Sequence, residues 1–493
     1  MCVPSGVARS KKRSKREREL EARVAELEGQ LQAALKALEE AKRRIAELER
    51  QLKQDSSSSD KPPSSDPPHR PPRKKPGKGK RKPGGQPGHE GKTRPLLPPE
   101  QVDDIQDHKP STCDDCGAKL TGEDPSPLRH QVTEVPPVQP TVTEHRLHSL
   151  RCGCGAVTQA DLPSGVPSGA FGPRLTAMVG LLTGAYRVSK RNTQQLLADC
   201  FNVSMSLGSI KAVESNLSDA LAECVEEAAE YVQTAAAAVG ADETPWRVRG
   251  QKAWLWTAVT TWLAVFAIRF SRGADVAQEL LGLGYAGHLV TDRGSGYLRY
   301  SKERRQVCWS HLERDFEKLV EAGGELGRLG EALQKQRRLL FEWWHRVRDG
   351  TLTRAELQDK VKPLRAEVAD LLRQARACTE QNRKLAGMAR EILKLEGAMW
   401  TFVDHPGVEP TNNAAERALR HAVIWRKTSF GTQSASGTTF VERMLTVVTS
   451  LRLQRRNVLE FLAEASTAAL TGVAPPSPLP EGVADAPDLA QVA

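Results

Sequence analysis

Asp242 in VGADETPW, Asp292 in HLVTDRGSGY and Glu416 in PTNNAAERALR are the residues of this chain best suited to chemistry on phosphate. The two aspartates end apolar, strand-like runs, and an Asp that closes a buried strand is held rigidly. Several such oxygens brought together can hold divalent cations, Mg²⁺ or Mn²⁺, beside a phosphate, so the expected chemistry is phosphodiester cleavage or exchange. His311, in CWSHLERDF, is a secondary candidate beside the metal or a flanking strand, with a packed or helix-capping histidine as its plainer reading.

A second kind of metal chemistry is suggested by Cys113-Asp-Asp-Cys116 and Cys152-Gly-Cys154. Two close thiolate pairs can close a tetrahedral, structural Zn²⁺ site, and Gly117, Gly153 and Gly155 permit the tight turns it needs. The other five cysteines, Cys2, Cys200, Cys224, Cys308 and Cys378, are isolated in sequence and read as structural or incidental.

What must position the acidic groups is a sheet. From Ala235 the pattern runs strand (AAAAVGAD), Trp-rich hairpin (AWLWTAVT and LAVFAIRF), helix (ADVAQELLGL) and strand (GHLVTD). Strand, strand, strand, helix, strand is the order of a ribonuclease H-like fold, in which the first and fourth strands are neighbours, so Asp242 and Asp292 would meet. Residues 323–399, rich in Leu, Arg, Glu and Ala with helical spacing, read as a helical insertion that separates Asp292 from Glu416. Glu416 then follows a helix cap at Thr411, Asn412 or Asn413, with Arg417, Arg420, Arg426 and Lys427 as candidate phosphate contacts on the same helix.

Toward the N-terminus, Val24, Leu31, Leu38, Ile45 and Leu52 share one seven-residue spacing, and Leu20, Leu27, Ala34, Ala41 and Leu48 share another. Residues 17–54 therefore read as a coiled coil that joins at least two copies of the chain. Residues 55–100 change to Ser, Pro, Gly, Lys and Arg, a basic linker expected to be disordered, with Lys74, Lys75, Lys78, Lys80, Arg81 and Lys82 as candidate DNA contacts. Its Gly84–His89 stretch, GGQPGH, is either a backbone turn against DNA or plain linker. Residues 101–165 carry the cysteine pairs, residues 170–234 read as helices with a helix-turn-helix or simple helical packing as alternatives, and residues 471–493 read as a disordered tail.

Charge supports a polyanionic partner. The chain has 71 Lys+Arg and 61 Asp+Glu, of which residues 1–100 hold 25 and 14, leaving 46 and 47 in a nearly neutral body. Such an arm supplies sequence-independent phosphate contacts, or is a solvated tail. The start, MCVPSGVARSKKRSK, leads into charge rather than an apolar segment, and Ala253–Phe270 is interrupted by Thr257, Thr260 and Thr261, so a cytoplasmic protein with a strand hairpin is expected, with no membrane partner.

Taken in order, DETPWRV, VTDRGSGY, CWSHLERDFEKL and NNAAERALRHAVIWRKTSFG, preceded by a coiled coil, GGQPGH and paired cysteines, resemble the transposases of the insertion sequence 66 family over most of the chain. The resemblance implies that Asp242, Asp292 and Glu416 are a DDE metal-binding triad that cuts transposon ends and joins them to target DNA. It also implies nucleoid association and leaves room for accessory proteins of the same element. The fold class expected is multidomain α+β: coiled coil, zinc knuckle, helical region, and a ribonuclease H-like α/β catalytic domain over 235–465 with its insertion at 323–399. The competing reading is a catalytically inactive DNA-binding or regulatory protein of a mobile element. A tyrosine recombinase is disfavoured, because none of the five tyrosines sits in an arginine-rich constellation.

Overall fold

The computed structural model describes residues 15–53 and 94–482. The basic arm, with Lys74 to Lys82 and GGQPGH, lies outside the described residues. The described residues form two units, one within 94–162 and 189–210, the other within 15–53, 163–188 and 211–482.

Helix α1 (Lys15–Lys53) is one uninterrupted helix. Its seam residues Leu20, Val24, Leu27, Leu31, Leu38 and Ile45 are all exposed in the single chain. In the smaller unit, β1 (Ser149–Arg151) pairs antiparallel with β2 (Val157–Gln159) around the second cysteine pair. The helices expected over 170–234 are α2 (Pro173–Gly180), α3 (Lys190–Phe201), α4 (Leu207–Ala220) and α5 (Ala222–Thr234). Ser189 caps α3 by accepting from Asn192 N, and Asn202 ends it in the left-handed region, where Asn is tolerated better than most residues.

The larger unit is built on five strands: β3 (Ala238–Val248), β4 (Gln251–Val259), β5 (Ala264–Arg269), β6 (His288–Thr291) and β7 (Arg305–Val307), in the order β5-β4-β3-β6-β7. β3 is central, antiparallel to β4 and parallel to β6. Thus the first and fourth strands of the sheet are neighbours, as their sequence order required. Two details differ from the sequence reading. Asp242 does not end its strand but lies inside β3, because DETPWRV continues the ladder opposite Gln251–Thr257. The three-residue β7, with no apolar alternation to reveal it, adds a fifth strand parallel to β6.

Alternation along the strands sends side chains to two cores. Leu255, Phe266 and Ile268 pack with α12 (Asn413–Ser429), α13 (Ala435–Leu453) and α14 (Val458–Thr471). On the other face Ala241, Trp256, Ala258, Val265 and Ala267 pack with α5 and α6 (Ala274–Leu281). The β5 edge is not left open. Ser450 Oγ, Thr446 Oγ1 and Glu442 Oε1, each four residues apart on α13, accept from Ala264 N, Phe266 N and Ile268 N at 3.0, 3.1 and 2.5 Å. One helix face therefore takes the place of a further strand.

The insertion is helical, as its spacing predicted. α7 (Trp309–Ala322), α8 (Gly324–Arg348), α9 (Arg354–Ala377), α10 (Arg383–Leu393) and the short α11 (Thr401–Asp404) close around Trp309, Phe316, Trp344, Trp400 and Phe402. The C-terminal tail differs from expectation through residue 482. Pro476 O accepts from Cys224 Sγ, Ser477 Oγ donates to Glu227, and Gln454 and Arg456 hold the carbonyls of Ser477, Pro478 and Leu479. Few apolar residues signalled this, because the docking is largely through backbone carbonyls.

Gly240 of β3 faces the loop before α12, where a Cβ would lie 2.6 Å from Asn412 Oδ1. Gly240→Ala is expected to lose about 1–3 kcal/mol of stability by forcing α12 away from the sheet. Urea unfolding checks this; a midpoint equal to that of the parent protein would show that the approach is not tight.

Candidate active site

Three elements deliver the three carboxylates. Asp242 stands on the α12-facing side of β3, Asp292 immediately follows β6, and Glu416 sits in the first turn of α12, where the positive end of the helix dipole favours a carboxylate. The Asp292 turn is fixed locally. Gly294 N donates to Asp292 Oδ1 at 2.6 Å, and the buried Arg305 guanidinium donates to Asp292 O at 3.3 Å. Asp242 Oδ1 accepts from Glu243 N at 2.9 Å.

Burial, followed by the negative charges of Glu243, Asp292 and Glu416, raises the Asp242 carboxyl well above the usual carboxylate range. Glu416 is raised by burial and by Asp292, against the pull of Arg314 and Arg420. The carboxylates are thus near enough to repel one another, although the three do not lie within 4.8 Å as a group. Hard oxygen donors that resist ionising together are a fitting set for divalent cations, whose charge would remove the repulsion.

Other residues complete the surroundings. Glu243, on the opposite side of β3 from Asp242, accepts from Tyr297 Oη at 2.8 Å and from Arg272 Nε at 2.7 Å. An open cavity of about 380 Å³ beside Asp292 is lined by Arg293, Gly294, His311, Arg314, Asp315 and Lys318. In it Arg293 is paired with Asp315, which also accepts from Lys318 at 3.0 Å. His311 Nδ1 is 3.8 Å from Glu416 Oε1 and Arg314 is 3.9 Å from the same oxygen. Burial, then Arg314, depresses the His311 pKa to about 4, so the imidazole is neutral near pH 7. Among the described residues Cys308, His311 and Glu416 form a group whose ligand atoms all lie within 4.8 Å.

The sequence candidates separate on α12. Arg417, Arg420 and Lys427 are exposed. Arg426 instead donates to Pro245 O and to Thr244 Oγ1, tying α12 to β3, so its guanidinium is committed to the fold. Sequence reasoning did not single out Glu243, Arg272, Tyr297 or Arg314. Glu243, Tyr297 and Arg314 lie inside DETPW, VTDRGSGY and CWSHLERDF, which was the available signal for them, whereas Arg272 lies outside these strings, and only the sheet order brings the four together.

The cysteine pairs each form a knuckle. Gly117 N and Gly155 N donate back to Cys113 O and Cys152 O, both at 2.9 Å, and both glycines take positive φ, +70° and +92°. Hydrogen bonds from within each pair lower the pKa of Cys113 and of Cys152, which favours the thiolates that zinc requires. No three of the four sulfurs lie together within 4.8 Å among the described residues. Closing of the two knuckles on one ion would bring them together.

Residues 168–439 match the family described as Transposase IS66 family, and residues 110–155 match the zinc-finger binding domain of transposase IS66. Residues 8–95 match a family of unknown function. Two uncharacterized proteins of Sinorhizobium fredii (strain NBRC 101917 / NGR234) are similar along most of the chain. One, y4qI, is 27% identical over 74% of this chain and 71% of its own length. The other, y4hP, is 25% identical over 75% and 73%. These matches make the chain a transposase with a zinc-finger domain. This chain belongs to the IS66 family of transposases. Among the described residues no helix is long and apolar enough to cross a membrane.

Two measurements follow from this geometry. A carboxyl raised by folding contributes stability that is present below its unfolded pKa and lost as pH rises through the folded pKa. Without divalent cations, Asp242→Asn should therefore stabilise the protein by on the order of 1 kcal/mol at pH 7.5, with the gain shrinking toward pH 4. Thermal melts in EDTA read this, and a gain that stays constant over that range would contradict the raised carboxyl. Purified protein should also contain about one Zn²⁺ per chain, lost on changing Cys113 and Cys116 to Ser; elemental analysis decides, and no zinc in the parent protein would exclude the site.

Proposed function

We propose that this transposase cuts the ends of its mobile element and joins them to target DNA by metal-dependent phosphodiester chemistry, on a ribonuclease H-like domain spanning residues 235–465. The observation that carries this reading is the convergence of Asp242, Asp292 and Glu416 from two adjacent parallel strands and a helix start. Asp242, Asp292 and Glu416 would hold two Mg²⁺ or Mn²⁺ ions, which supply Lewis acidity at the phosphate and a water or hydroxyl of lowered pKa. In the first reaction a water oxygen attacks phosphorus and the P–O3′ bond breaks, leaving a 3′-hydroxyl on the element and a 5′-phosphate on the flank. In the second, that 3′-hydroxyl attacks a target phosphodiester, a new P–O3′ bond forms, and the target's own 3′-oxygen leaves. No bond between protein and DNA is required.

The chain's own groups divide the remaining work. Arg305 and Gly294 keep Asp292 in place, and Tyr297 and Arg272 hold Glu243 away from the reacting oxygens. Arg314 and Lys318 line the cavity beside Asp292, where a strand's phosphates would meet positive charge. His311, neutral, stands 3.8 Å from Glu416 Oε1. The exposed seam of α1 supports a coiled coil that pairs two copies, so that two element ends are handled together. The zinc domain and basic arm would add DNA contacts of their own.

With Mg²⁺ or Mn²⁺, the protein should nick DNA bearing its own element's ends. Asp292→Ala should lower the nicking rate by at least about a thousandfold while leaving DNA affinity within about threefold. Gel analysis of end-labelled DNA reads both. Equal nicking by the variant would sink the site, and binding without nicking by the parent protein would favour the inactive, regulatory reading.

A further inference from the structure

The end of α12 and the β3–β4 turn form a basic tip that neither the family resemblance nor the carboxylate site accounts for. Of the five non-glycine residues with positive φ among the described residues, two meet here: Arg249 at +51° and Phe430 at +57°. Arg249 occupies the first position of a two-residue hairpin turn, followed by Gly250 at +76°, a place where Asn, Asp or Gly is the ordinary choice. Phe430 ends α12 in the left-handed region, an uncommon conformation for an aromatic residue, and its side chain is 77% exposed. A bulky ring on strained backbone in water gains nothing from the fold. Neither residue is on a loose loop. Arg249 N donates to Thr432 O at 2.8 Å, Thr432 N donates to Arg247 O at 2.9 Å, and Arg249 Nε donates to Gln433 O at 3.2 Å. Gly431 sits so closely on the Arg247 carbonyl that a Cβ there would collide with it.

The tip has one sign of charge. Residues 244–274 and 417–441 contain no Asp or Glu, while Arg247, Arg249, Lys252 and Lys427 are exposed. Its distance from the catalytic groups is set twice over. Fourteen helical residues separate Glu416 from Phe430, about 21 Å, and seven extended residues separate Asp242 from Arg249, about 23 Å. At about 3.4 Å per base step, both correspond to six or seven base pairs.

We propose that this tip is a second grip on the element-end duplex, about six base pairs from the scissile phosphate. Lys427 and the guanidinium nitrogens of Arg247 and Arg249 that are not donated to Gly250 O and Gln433 O hold phosphates, and the Phe430 ring wedges against a base step. The inference rests on the transposase reading for the identity of the DNA, but it concerns binding rather than cleavage. Left-handed backbone makes the test selective, because glycine relieves strain at position 430 while removing the ring.

The probe is a 30-base-pair duplex of the element's terminal sequence, with 2-aminopurine placed in turn four to eight base pairs from the cleaved end and Ca²⁺ replacing Mg²⁺. The parent protein should change the fluorescence at one or two adjacent positions. Phe430→Gly should keep or raise the melting temperature, abolish that change and weaken binding about tenfold, whereas Phe430→Trp should restore both. Arg249→Gly should weaken binding and flatten its salt dependence. Parent-like binding and fluorescence in Phe430→Gly, or no binding of this duplex by the parent protein, would overturn the proposal. Loss of the tip effect with nicking intact would leave the catalytic reading standing; absence of nicking with the tip effect intact would remove only the catalytic reading.

Discussion

Asn412 is where the sheet, the helices of 309–404 and α12 are joined. Its Nδ2 donates to Ala241 O at 2.7 Å, and its backbone N donates to Cys308 Sγ at 3.1 Å. Its carbonyl accepts from Glu416 N at 3.1 Å, and two residues earlier Pro410 O accepts from Trp309 N at 2.9 Å. A buried amide committed in this way is costly to leave unpaired, so the chain returning from the insertion has one place to dock. Glu416 is consequently delivered to Asp242 and Asp292 by hydrogen bonds made four residues before it. The closeness of Gly240 to the same side chain turns this into a steric as well as a polar constraint.

What that docking assembles is unfavourable by itself. Asp242, Glu243, Asp292 and Glu416 share a small region, and burial raises the carboxyls of Asp242, Glu243 and Glu416. The fold tolerates this by dividing the charge between two faces of β3. Glu243 is neutralised on one side by Arg272 and bonded to Tyr297, while among the described residues Asp242 has no such side-chain partner on the other. Pairing of this kind distinguishes Glu243 from Asp242, its neighbour on the other face of β3. Around Glu416, His311 and Arg314 stand 3.8 and 3.9 Å from Oε1.

The sheet survives this strain because its ends are secured from outside. α13 supplies three acceptors to β5 in place of a neighbouring strand, and the bridge between Val248 and Thr432 fixes the far end of β3. These tethers also explain why the tip carrying Arg249 and Phe430 can hold two left-handed residues: the surrounding hydrogen bonds over-determine the backbone.

Much of this was legible in the sequence, for physical reasons. Apolar alternation revealed the β4–β5 hairpin, heptad spacing revealed α1, and helical spacing revealed the insertion, because each pattern reports burial by neighbours close in the chain. The order of strands, read as that of a ribonuclease H-like fold, then led to the expectation that Asp242 and Asp292 would meet. Other features depend on partners far apart in sequence. Glu243 and Asp242 are adjacent acids with no local sign of which would be paired, and only Tyr297 and Arg272 decide it. Arg426 read as a phosphate contact like its neighbours, yet helix geometry turned it onto the Pro245 carbonyl. The tail through residue 482 lacked an apolar pattern and docked through its carbonyls. The sequence by itself determined which groups could do chemistry and which segments would be strands or helices. The tertiary structure decided which acids are neutralised and which remain available, because a side chain's partners are set by where distant segments cross.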